Sequence, residues 1–76
     1  MKKTKYQVIK AIIHIARRLG VALNKTDKRV SYIIQSHEFF IWNNETEFNS
    51  FIETCIIKMK EEPLELFLIK EAEEMG

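Results

Sequence analysis

The stretch from Thr4 to Leu19 constrains this chain more than any other, because its apolar residues recur at helical spacing and Gly20 stands where such a helix would stop. At ~100° per residue, Val8, Ile9, Ala11, Ile12, Ile13, Ile15, Ala16 and Leu19 cover a continuous arc of more than half the circumference, with Tyr6 at its edge. Lys3, Gln7, Lys10, His14, Arg17 and Arg18 share the remaining arc, and no acidic residue comes before Asp27. One side of this helix requires a core and the other attracts anions.

With 76 residues the chain has room for one domain, near the size at which a single core leaves little surplus stability, so a homodimer or a protein partner is expected. A hydrophobic fraction of 46% and an aromatic fraction of 11% argue for a packed interior rather than disorder. Cys55 stands alone, which excludes an internal disulfide and a cysteine cluster for zinc. The Lys-rich start does not read as a signal peptide, since Lys10, His14 and two arginines break the apolar run. No segment reaches the ~20 apolar residues of a spanning helix, so a cytoplasmic protein without a membrane partner is expected.

The near-neutral net charge hides a division. Residues 1–29 carry nine basic side chains and one acidic, whereas residues 30–76 carry three basic and ten acidic. Such an asymmetry points to an anionic partner such as nucleic acid, or is satisfied within the fold or across a head-to-tail dimer.

Beyond Gly20, residues 21–28 read as a loop. Arg29 to Ser36 fits a strand, with Val30, Tyr32 and Ile34 on one side, and also a helix capped by Thr26 or Asp27 with Val30, Ile33, Ile34 and His37 on one face. The strand is favoured by β-branched and aromatic enrichment. Glu38 to Trp42 reads as a second strand, which puts Ser36 and His37 in a hairpin turn. Asn44 to Glu61 predicts a helix, opened by Asn44 with Glu47 three residues on and carrying Phe48, Phe51, Ile52, Cys55, Ile56 and Met59 at helical spacing. Pro63 ends it. Leu64, Leu66, Phe67, Leu68, Ile69, Ala72 and Met75 then favour a short helix over a strand, one so apolar that its own core or another chain must cover it.

No catalytic constellation emerges. His14 and His37 lack a nucleophile or orienting carboxylate at recognisable spacing, Cys55 sits within an apolar stripe, and two glycines cannot build a phosphate-cradling loop. The glutamates lack the spacing of a calcium loop. A non-enzyme without a cofactor or metal is therefore expected. Ile15, Ala16, Leu19, Gly20 and Val21 match the small-then-glycine pattern of a helix-turn-helix, but the match fails on spacing, because the apolar anchors Val30 and Ile33 come too late for a turn of ~3 to 4 residues.

The architecture expected is an α+β single domain spanning residues 1–76: helix, β-hairpin, helix and short C-terminal helix, with Ile9, Ile12, Ile13, Ala16, Phe48, Phe51, Ile52, Cys55 and Met59 as its core. Two functions follow. One is a small interaction protein, an adaptor or inhibitor, whose interface includes Ile57, Leu66, Phe67 and Ile69. The other is a nucleic-acid-binding regulator using Lys10, Arg17, Arg18, Lys28 and Arg29. Because Ile13 belongs to this expected core, Ile13→Asp is expected to unfold the domain, and an unchanged thermal transition would show that the first helix is not central.

Overall fold

The computed structural model describes residues 2–75, the side chain of Met75 excepted, and among them it contains four helices and no strand: α1 (Lys5–Arg18), α2 (Lys28–His37), α3 (Glu45–Lys58) and α4 (Leu64–Met75). The expected α+β fold with a β-hairpin is thereby overturned. Arg29 to Ser36 is helical because Asp27 caps it: the Arg29 backbone N–H donates to Asp27 Oδ1 at 2.9 Å. Helical spacing then buries Val30, Ile33 and Ser36 on one face, and the Ser36 hydroxyl donates to the Ile33 carbonyl at 2.8 Å. The β-branched residues that suggested a strand are fitted to a helix by tertiary burial, which overrides a weak local preference.

The second expected strand is an irregular connection. Phe40 and Trp42 are buried in it, and their rings lie 4.7 Å from that of Phe51, centroid to centroid. Trp42 also meets Phe48 edge-on at 5.7 Å. The aromatic density of this segment therefore serves as an anchor that ties the α2–α3 connection to α3.

The helix ends follow the local chemistry. Thr4 caps α1 with a reciprocal box: its hydroxyl accepts from the Gln7 N–H at 3.2 Å, and the Gln7 side chain accepts from the Thr4 N–H at 2.9 Å. At the other end the Val21 N–H reaches the Ala16 carbonyl at 2.8 Å and the Gly20 N–H reaches Arg17 at 3.1 Å. This Schellman pairing needs a left-handed residue, and Gly20 supplies it at φ 79°. Asn44 caps α3 as its spacing predicts, accepting from the Glu47 N–H at 2.8 Å, while the Glu47 carboxylate accepts from Asn43 rather than from Asn44. The Pro63 carbonyl accepts from the N–H groups of Leu66 and Phe67 in the first turn of α4.

The helices form a ring in which α1 packs against α3 and α2, while α4 packs against α2 and α3. Ile12, Ala16, Phe48, Ile52 and Cys55 belong to the buried core, as the periodicity requires. Ile9, Ile13, Phe51 and Met59 are only half-buried, and Val8, Ile15, Val30, Ile33, Ile56 and Leu64 lie deeper than they do. The difference follows from two partners rather than a flat sheet: α2 and α3 centre the buried arc of α1 on Ile12 and leave Ile13 half-buried. A fully buried isoleucine contributes ~1.5 to 3 kcal/mol of transfer free energy.

Ile12 is thus the residue whose loss tests the fold. Ile12→Ala is expected to lower stability by about 2 to 5 kcal/mol in chemical denaturation, and Ile13→Ala by clearly less. Equal losses would place the centre of the core elsewhere.

Candidate functional site

Seven apolar residues in α4 exceed what one buried stripe can absorb, so the helix divides them. Leu64, Phe67 and Leu68 turn inward, and Leu66 and Ile69, three residues apart, share the outer face at 49% and 53% exposure. Beside them α2 and α4 leave an apolar groove of about 310 Å³, lined by Tyr32, Ser36, Phe39, Leu68, Ile69 and Ala72. Phe39, just beyond the end of α2, is 65% exposed. Glu65 borders the groove, and Glu73 lies one turn past Ile69.

Of the four residues expected at a protein interface, the structure therefore brings two together on α4. Phe67 is in the interior, edge-tilted against Phe51 at 6.3 Å, and Ile57 is exposed on α3 away from the groove. Phe39 was hidden from sequence reasoning by the reading of Glu38 to Trp42 as a strand. Its position just past the helical alternative for the Arg29 stretch, in the turn that follows His37, is the signal that would have shown it.

The five cations expected at a nucleic-acid interface are separated by their partners. Arg18 pairs with Glu53 of α3 at 2.6 Å. Arg29 folds back on the cap of its own helix, with Nε and Nη2 donating to Asp27 at 3.0 and 2.9 Å. Lys28 lies over the Tyr32 ring at 5.6 Å, and the Tyr32 hydroxyl, then the Glu65 carboxylate, hold its ammonium pKa above the usual lysine value. Lys10 and Arg17 remain on the outer face of α1 with His14, Lys10 resting over the Tyr6 ring at 5.6 Å. Lys3 also reaches across to α3, bonding Glu45 and lying 5.0 Å over Phe48. The charge division between the two halves of the chain is met in part by these α1–α3 bridges.

The histidines and the cysteine lie apart from one another. His37 closes α2 rather than turning a hairpin; burial lowers its pKa, with Glu38 opposing and Lys2 and Lys3 adding to the shift. It meets Phe48 edge-on at 6.4 Å and lines a cavity of about 610 Å³ with Val8, Phe40 and three lysines at the mouth. His14 is exposed on α1. Burial pushes the Cys55 thiol up to about 12, which keeps it protonated and unreactive at neutral pH. Among the described residues no group of three or more His, Cys, Asp or Glu side chains is placed to hold a metal, and no helix is long and apolar enough to cross a membrane. Compared with known protein families, curated proteins and solved structures, the chain matches none.

Asp27 gives the clearest pH signature. Hydrogen bonds from the Arg29 side chain and then its backbone hold the carboxyl at about 2 against an ordinary 3.8. The folded value is below the unfolded one, so the ionised group stabilises the fold above pH 3.8 and that contribution is lost as pH falls through about 2. Asp27→Asn keeps a capping oxygen and removes the charge. The gap in thermal midpoint between wild type and this variant is expected to be full at neutral pH and to close between pH 3.8 and about 2.

Proposed function

We propose that this chain is a small non-enzymatic interaction protein that docks a protein partner on the outer face of α4 and the groove between α4 and α2. The observation that carries this reading is the exposure of Leu66, Ile69 and Phe39 beside one apolar groove. Exposed side chains of this size gathered on one side, bordered by polar residues, have the anatomy of a binding patch, with an apolar centre and a polar rim. Two consecutive turns of α4 hold the anchors on a rigid helix, so little conformational entropy is lost when they are covered.

A nucleic-acid-binding regulator is the second reading, and the unbroken basic outer face of α1 favours it. It is the weaker because Arg18 and Arg29 already hold carboxylates and Lys28 faces Glu65, which leaves Lys10 and Arg17 to meet phosphates. Two such contacts supply little of the counterion release that drives strong binding.

The two readings separate by substitution. Leu66→Ser with Ile69→Ser is expected to keep the thermal transition near that of wild type, since both positions are exposed, and to lose the protein captured from an extract of the source cells. Arg17→Glu with Arg18→Glu is expected to retain it. A mobility shift of DNA or RNA at low salt that the arginine reversals abolish, with capture unaffected by the serines, would move the assignment to nucleic acid.

A further inference from the structure

We propose that the partner seated on α4 is a second copy of this chain, presented through the outer face of its α1, so that copies associate head to tail. This rests on the reading of the α4 face as a docking surface and names its occupant. Arg18 and Lys3 are held by Glu53 and Glu45, so the positive charge left on the face of α1 that carries Tyr6 and Ile13 is that of Lys10 and Arg17, with His14 nearby and Lys5 exposed at the start of the helix. No acidic side chain interrupts this face. Tyr6 is exposed and Ile13 half-exposed beside these cations, giving an apolar row with a basic border.

The outer face of α4 is its complement. Leu66 and Ile69 form the apolar row, and the border is acidic, with Glu65, Glu73 and Glu74 exposed. The one lysine of the helix, Lys70, is turned toward Glu62 at 3.7 Å. At 1.5 Å per residue the 14 residues of α1 span about 21 Å and the 12 of α4 about 18 Å, so the two helices can lie side by side over most of their length. Opposite potentials beside exposed apolar side chains steer the faces together and fix which pairs with which.

Placement in the ring decides the form of the assembly. α1 and α4 are each packed on α2 and α3, which leaves the outer face of each uncovered. One copy therefore offers both faces at once. A contact between unlike faces does not close on itself in a dimer, as a two-fold interface does, but propagates to further copies or closes as a ring.

Light scattering from micromolar to near-millimolar protein tests the proposal. At low salt the mean mass is expected to climb past that of a dimer, and in about 0.5 M salt to return toward the monomer, because exposed charges are screened at that ionic strength. Lys10→Glu with Arg17→Glu, and separately Glu65→Lys with Glu73→Lys, should each remain monomeric with unchanged helical circular dichroism. Mixed in equal amounts, the two charge-reversed proteins should recover assembly. A wild-type protein that stays monomeric throughout, a closed dimer indifferent to these reversals, or a mixture that fails to associate would each overturn self-docking. None of those results removes the α4 docking face, which falls only if the Leu66 and Ile69 serine variant keeps its captured partner.

Discussion

Everything in this fold depends on covering the apolar arc of α1. That arc is too wide for one neighbour, and burial of Val8, Ile12, Ile15 and Ala16 requires both α2 and α3 around it. Once two helices flank α1, their far sides need a fourth element, and α4 fills the remaining place with Leu64, Phe67 and Leu68. The ring of four helices is the outcome of satisfying one oversized hydrophobic surface in a chain too short for a second layer. Its electrostatics follow the same line, since the two bridges from the α1 region to α3 lie toward opposite ends of that pair, at Lys3–Glu45 and Arg18–Glu53.

Much of this was legible in the sequence, wherever the signal was local. The Thr4 start and Gly20 stop of α1, the Asn44 cap of α3 and the helical choice after Pro63 depend on the chemistry and backbone freedom of single residues in their own neighbourhood, and each appears in the structure. Val30, Tyr32 and Ile34 misled because alternation and helical spacing coincide over so short a run. Asp27 was the discriminating residue, and its grip on both the backbone and the side chain of Arg29 outweighs β propensity. The aromatic run at Phe39–Trp42 misled for another reason: dense rings indicate burial, and burial alone does not specify a backbone conformation.

For the candidate site, the excess apolar content of α4 could be read in advance, but which of its residues turned outward could not. That choice depends on where α2 and α3 sit, a tertiary fact, and it sends Phe67 to the core while leaving Leu66 and Ile69 outside. The same holds for the cations. A basic stretch reads as uniform along the chain, yet Arg18 and Arg29 are neutralised by carboxylates at distances of 35 and 2 residues, and only the three-dimensional structure separates them from Lys10 and Arg17.

The order of packing around the ring bears on how the chain reaches it. α1 pairs with α3 and α2 with α4, so each of these pairings skips over an intervening helix. The two loops this requires interleave, and neither half of the chain contains a complete pair of this kind. These pairings therefore form only once α3 and then α4 are in place, and until then α1 can cover only the part of its apolar arc that α2 meets. Such a topology folds more slowly than a bundle of successive hairpins of the same length, and it couples the C-terminal helix to the fate of the N-terminal one.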